Sequence, residues 1–408
     1  MKKLLLLPLC ATMLFVSCNK DDDNDSGDNG SDIVTPSLYT FERDGVSTVS
    51  FGGQTTRILM AGETTDAFKA FETATEASIK AMFAHVEGAV DFSDDDLNSS
   101  DKSIESKVAA SSDFFAANTT EAAVIKGEFA GYIEGQINEV FPNENVLAAA
   151  GVAGQIADGT STRYVNAQGL EYNQMFAKSL LGALMVDQIL NNYLSTAVLD
   201  AESNRVNNDN DVVEEGKSYT SMEHKWDEAY GYIYGTSENP ENPNLTIGED
   251  DKFLNEYTGR VNDDTDFSTI AADIFEAFKL GRAAIVAKDY NVRDEQAEII
   301  RENISKVIAV RGIYYLQQAK IKIENGEVTG SFHALSEAYG FIYSLRFTRK
   351  PGTNDAYFSK EEVDGLLSQL TGDGENGLWD LEADTIESIS EAIAAEFDFT
   401  VAQAASVE

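Results

Sequence analysis

The chain has 408 residues, 43% of them hydrophobic, which is ample for a sizeable core. Its 70 acidic residues against 30 basic ones give a formal charge of −40, a surface that repels phosphate backbones and anionic headgroups, so nucleic acid is not expected as a partner. Only two cysteines occur, Cys10 and Cys18, and neither lies where a disulfide or a thiolate metal site of the body would need it.

The N-terminus reads as an export signal: Lys2 and Lys3 precede an apolar run from Leu4 to Phe15 that is too short to span a bilayer. It ends in Leu14-Phe15-Val16-Ser17-Cys18, where a small residue precedes a cysteine. This is the pattern of a lipoprotein cleaved before the cysteine and lipidated on its thiol. Residues 1–17 are therefore expected as signal peptide, and 18–35 as the lipidated cysteine plus a disordered tether, since Asn19 to Asp32 has no apolar residue to bury. The acidic start of the tether, Lys20 followed by Asp21 to Asp23, resembles the tag that sends some lipoproteins to the outer face of the outer membrane. The expected location is thus the outer membrane, exposed at the cell surface, with the membrane itself as a partner through Cys18.

Residues 36–408 read as a single all-α domain after a short extended segment near 39–51. Apolar residues recur at three and four spacing, and helix formers are frequent. Helices are expected near 66–87, 103–116, 119–139, 169–198, 219–235, 268–288, 293–324, 330–346, 359–370 and 378–396. Asn118 with Glu121 and Ser359 with Glu362 have capping-box spacing, and Gly235 and Gly326 follow helix ends. Polar stretches at 200–217, 236–250 and 348–358 read as surface loops. Two apolar stripes carry a charge, Asp187 among Phe176, Leu180, Ala183, Leu190 and Leu194, and Arg311 among Ile300, Ile304, Val307, Ile308 and Tyr315. A buried charge needs a partner, and an Asp187–Arg311 pair is one solution.

Two segments match closely: His224-Lys-Trp-Asp227-Glu228-Ala-Tyr230-Gly-Tyr-Ile-Tyr234 and His333-Ala-Leu-Ser-Glu337-Ala-Tyr339-Gly-Phe-Ile-Tyr343. The match points to an internal repeat, about 169–236 and 293–346, and hence to a duplicated bundle of pseudo-twofold helical hairpins. On a helix His224 lies over Glu228 and His333 over Glu337, and these are two of only three histidines in the chain. Imidazole with carboxylate binds a divalent metal such as iron or zinc, serves as an acid/base pair, or forms a bonded polar layer that fixes helix register. If the copies meet, His224, Glu228, His333 and Glu337 share one site, with Asp227, Tyr230 and Tyr339 beside it. His85 with Glu87 reads as a helix-end contact. The Asp clusters at 94–96 and 207–211 lack a calcium loop's glycine and terminal Glu, and no catalytic or phosphate-binding motif is present.

The segments Tyr39-Thr-Phe, Ser50-Phe-Gly-Gly-Gln54, Lys178-Ser-Leu-Leu-Gly-Ala183 and Ser221-Met-Glu-His-Lys-Trp-Asp-Glu-Ala-Tyr-Gly231 resemble a family of bacterial lipoproteins sharing the domain of unknown function 4856, which is distantly similar to imelysin-like proteins. The resemblance covers nearly the whole mature chain. It implies an all-α fold of duplicated helical bundles and, more loosely, iron-linked uptake or binding at the envelope. Imelysin-like proteins carry Gly-x-His-x-x-Glu; here Glu223 or Met222 stands where Gly is expected before His224, Asp227 stands at the Glu position, and Ser336 stands there in the second copy. The leading expectation is a non-enzymatic, surface-tethered binding module for iron, another small nutrient or an envelope protein. An imelysin-like metallohydrolase or peptidase and a structural or adhesive envelope protein are the alternatives.

Overall fold

A computed structural model describes residues 33–372 and 375–406. The export signal, Cys18 and the tether as far as residue 32 lie outside them. The body is all-α, as its periodicity predicts. In chain order it contains a two-residue hairpin, β1 (Glu42–Arg43) and β2 (Val46–Ser47), then α1 (Gly52–Ala67), α2 (Glu76–Ala84), α3 (Asp95–Asn98) and α4 (Thr119–Gly135). A second hairpin, β3 (Gly154–Asp158) with β4 (Ser161–Val165), precedes α5 (Tyr172–Leu180), which runs on through π-helical stretches at Leu181–Val186 and Ile189–Tyr193. After these come α6 (Thr196–Leu199), α7 (Asn204–Asp209), α8 (Ser221–Tyr234), α9 (Leu254–Asn262), α10 (Ile270–Ala287), α11 (Tyr290–Glu324), α12 (Phe332–Ser344), α13 (Lys360–Thr371), α14 (Ala383–Ala394) and α15 (Val401–Ala404).

The 35-residue α11 is the spine. Lys288, in the left-handed conformation at φ 64°, ends α10 and turns the chain so that α10 and α11 pack as a hairpin. On its other sides α11 carries α12 and α14, and α12 is wedged between α11 and α5. Helix α8 packs on the far, π-helical end of the α5 run, on α1 and on α10. The matched segments therefore sit on the two ends of one long helix. Glycines set both approaches: Gly231 meets Phe51 and Gln54 of the α1 start, and Gly340 meets the Lys178 and Ser179 backbone of α5.

Several expectations need correction. Residues 103–116 form turns, because the backbone donors of Ala109 to Asp113, in the middle of the stretch, are spent on the α5 run rather than on the preceding turn. Ala109 N–H bonds the Ala183 carbonyl, Ala110 and Ser111 N–H bond the Asp187 carboxylate, and Asp113 N–H bonds the Asn191 carbonyl. The helix expected at 66–87 is two helices, α1 and α2, and α1 starts at Gly52 despite its paired glycines. The β3–β4 hairpin and α9 were not expected. Asp187 and Arg311 do not pair: Asp187 is bonded to Ala110, Ser111 and Asn191, while Arg311 lies over the rings of Tyr257, Tyr314 and Tyr315. The Ser359–Glu362 box forms with both bonds, whereas at the start of α4 the Asn118 side chain accepts from Glu121 N–H and donates to the Glu121 carboxylate, while the Asn118 backbone N–H goes to the Phe115 carbonyl. Gly235 keeps helical φ, and its lack of a side chain serves the contact with Thr55, whose hydroxyl donates to its carbonyl at 2.7 Å.

Candidate functional site

Helix α8 begins with a capping box in which the Thr220 side chain accepts from Glu223 N–H and the Glu223 carboxylate accepts from Thr220 N–H. This fixes Glu223 in the interior, where Arg282 of α10 reaches it at 3.1 Å and Arg43 of β1 at 3.0 Å. One turn on, Asp227 accepts from Arg282 at 3.0 Å, from the Tyr39 hydroxyl at 2.7 Å and from Ser50 N–H at 3.2 Å. Arg282 also donates to the Thr48 hydroxyl and stacks over Phe41. Burial raises the pKa of Asp227 to about 6, against the pull of Arg282, Tyr39 and Ser50. Burial acts on Glu223 too, but Arg282, Arg43 and the Thr220 N–H outweigh it and hold this carboxyl below its ordinary value. Residues 39–50 are thus strapped onto α8 by a buried ionic network.

The strap forms one wall of a groove of about 420 Å³ lined by Tyr39, Phe41, Glu42, Val49, Ser50, Phe51, Pro240 and Glu241 among others. Tyr230, fully buried, supports it from behind. Its ring stacks on Tyr39 with centroids 3.7 Å apart, and its hydroxyl donates to the Pro240 carbonyl at 2.7 Å. Tyr39 N–H in turn bonds the Glu241 carbonyl. Both walls of the groove are therefore pinned by α8, and among the described residues its lining holds two carboxylates and no cation. Of the residues marked in the sequence, Asp227 and Tyr230 lie directly behind this groove. His224 is at its edge, with Nδ1 3.0 Å from the Ser50 carbonyl and its ring stacked on Tyr219. Glu228 points elsewhere, to Lys225 at 2.6 Å and to Gln54 of α1 at 3.1 Å.

His333 has a different setting. Its Nδ1 is 2.9 Å from the carboxylate of Glu171, the residue that precedes α5, and its Nε2 is 3.8 Å from Glu337. Glu337 also faces Lys178 at 3.6 Å and the Tyr257 hydroxyl at 3.4 Å, and the Lys178 ammonium lies over the Tyr257 ring. Tyr339 belongs to a separate group with Tyr132, its phenol raised above the ordinary pKa by burial. Among the described residues no three His, Cys, Asp or Glu side chains are placed to hold a metal ion, so His224, Glu228, His333 and Glu337 do not combine into one metal centre. The donor chemistry around His333 also fits a metal poorly. Its two ring nitrogens face different carboxylates, and an ammonium stands beside Glu337 where a cation would sit.

The i,i+4 spacing brought His333 and Glu337 together on paper, but Glu171, Lys178 and Tyr257 come from other elements and carry no local signal. Around the groove, Arg282 was the readable omission, a charge between Phe278 and Ile285 in an apolar helix, as Arg311 is in α11. No helix of the described residues is long and apolar enough to cross a membrane. The family described as "Domain of unknown function (DUF4856)" matches residues 36–400. No curated protein and no solved structure matches the chain.

Proposed function

The chain belongs to the family of the domain of unknown function 4856, and from that footing we propose that it is a non-enzymatic, lipid-anchored binding protein of the cell envelope, displayed on the outer membrane through Cys18. The proposed ligand is a small nutrient with an aromatic or apolar body and a cationic end, held in the groove between the 39–52 strap and Pro240–Glu241. The observation that carries this reading is the groove itself. Its aromatic walls are locked by Asp227 and Tyr230 before any ligand arrives, its volume of about 420 Å³ suits a small molecule, and among the described residues its only charged lining groups are Glu42 and Glu241.

An imelysin-like hydrolase finds less support. That reading needs His224 with a free carboxylate three residues on, and the residue there, Asp227, is committed to Arg282, Tyr39 and Ser50.

Calorimetry with tyramine, an aromatic amine, and with 4-hydroxyphenylacetate, its acidic counterpart, tests the groove. Saturable binding of the amine alone, weakened at least tenfold in the Glu42→Gln/Glu241→Gln double variant, is the expected result. Equal binding of both probes, or of neither, refutes the reading. The anchor is tested by fatty-acid labelling of cells carrying Cys18→Ala, which should remove both the label and membrane retention.

A further inference from the structure

The matched segments of α8 and α12 differ in one respect that bears on charge. Around α12 the polar cluster holds two carboxylates, Glu171 and Glu337, against His333 and Lys178. Around α8 the place of Glu171 is taken by the Ser50 carbonyl, which bonds His224, so one carboxylate is missing. The cations, by contrast, are more numerous. Lys225 of α8 and Lys107 of the 103–116 turns lie 5.7 and 5.6 Å from the centroid of a single ring, that of Tyr193 at the end of the α5 run. Arg57 and Lys102 meet at Gly53, one residue before Gln54, which bonds both the Tyr193 hydroxyl and Glu228.

The carboxylates in reach do not balance these charges. Lys225 is paired with Glu228, and Lys102 with Asp101 at the surface. Arg57 is buried, and its guanidinium donates to two carbonyls, those of Ser103 and Gly53. Among the described residues Lys107 has no ion pair; its ammonium has only the Tyr193 ring. Burial lowers its pKa, the neighbouring Arg57, Lys225 and Lys102 push in the same direction, and Glu228 opposes them. A fully buried phenol completes the cluster. Tyr232 stacks against Tyr193 with centroids 6.2 Å apart, the Arg57 guanidinium faces its phenol oxygen as a donor, and its hydroxyl proton has no acceptor within hydrogen-bond distance. Asp187 also acts on this phenol but is occupied by the Ala110 and Ser111 N–H groups.

Two neighbouring cations without a carboxylate partner among the described residues, one of them buried and the other half-buried, and a buried hydroxyl proton without an acceptor are costly to hold together, the more so in a chain of formal charge −40 that has carboxylates to spare. We infer that the cluster of Arg57, Lys107, Lys225 and the Tyr232 hydroxyl, where α1, the 103–109 turns and α8 meet, binds a small oxyanion, a phosphate or a carboxylate. The anion would lie against the Lys107 ammonium and accept from the Tyr232 hydroxyl, with Glu228 held aside by Lys225 and Gln54. This site is separate from the groove and does not rest on the groove's ligand.

The test is calorimetry on the full chain with inorganic phosphate and, separately, succinate, each against sodium chloride of equal ionic strength. The expected result is saturable binding of one of the two, which identifies the class, with a rise in melting temperature that chloride does not give. Lys107→Met should weaken that binding at least tenfold, and should melt higher than the wild type in chloride because it removes an uncompensated charge. Lys107→Arg should keep the binding, and Lys69→Ala, at an exposed position elsewhere, should leave it unchanged. Absence of saturable binding for both anions overturns the inference, and so does binding that survives Lys107→Met undiminished.

Discussion

Arg282 and Asp227 form an ion pair at 3.0 Å in which neither side chain has any exposed surface. The pair is survivable because the remaining donors and acceptors are used: Arg282 also bonds Glu223 and Thr48, and Asp227 also bonds Tyr39 and Ser50. Every one of these extra partners except Glu223 lies in the 39–50 strap. The network therefore ties the strap to α8 and α10 in one step, and the groove exists only while the strap is in place.

Arg282→Met removes the cation and leaves Asp227 and Glu223 buried without their common partner. Breaking such a pair costs about 3–5 kcal/mol, so the variant is expected to lose stability on that scale in urea titration. Limited proteolysis should cut first between residues 39 and 51. Intact strap and unchanged midpoint would mean that the ion pair adds nothing to closure.

Glycine separates close approach from simple permissiveness. A Cβ at Gly340 would overlap the Lys178 side chain and come within 2.8 Å of both the Lys178 carbonyl carbon and Ser179 N, whereas at Gly312 the nearest atom is a Phe341 Cβ at 3.5 Å. Backbone cannot swing aside as a side-chain tip can. Gly340→Ala should destabilise by about 1–3 kcal/mol through overpacking between α12 and α5. Gly312→Ala should be neutral or slightly stabilising through its better helix propensity, by up to about 1 kcal/mol. Thermal melts of the two variants side by side decide this, and equal losses would contradict it.

How much of this was legible in the sequence depends on where the partners lie. Helices α8, α10, α11, α12 and α13 follow from apolar spacing and caps, because those signals are local. The 103–116 stretch failed for the opposite reason: its composition permits a helix, but Asp187, some 76 residues away, takes the N–H groups that a helix would need. Likewise His333 and Glu337 could be paired from their spacing, while Glu171 and Lys178, both from α5, could not. The His/Glu helices were expected to face each other across an axis. They sit instead on opposite ends of the α5 run, each using its glycine to approach a different helix. Tyr39, Ser50 and Arg282, which make the groove, share no spacing with α8 at all.

Asp187 supplies a dependence on pH whose sign follows from its burial. Burial raises its pKa to about 7, and the bonds from Ser111, Asn191 and Ala110 only partly counter it. In the unfolded chain the same group titrates near about 4. Between those two values the folded state holds a proton that the unfolded state has released, so stability falls as pH rises through this window, by up to about 1.4 kcal/mol per pH unit for one such group. Below it both states are protonated, above it both are ionised, and the slope vanishes. Asp227 and Asp251, each raised to about 6 by burial, act with the same sign. Asp187→Asn keeps an acceptor for the Ala110 and Ser111 N–H groups but has no proton to lose. Urea titrations at pH 5 and pH 7.5 should therefore show a wild-type loss of stability that is smaller by about 1–3 kcal/mol in this variant, with the part due to Asp227 and Asp251 retained. A pH difference identical in the two proteins would mean that the Ala110 and Ser111 donors hold Asp187 ionised throughout, and that its place in the α5 stripe carries no linkage to pH.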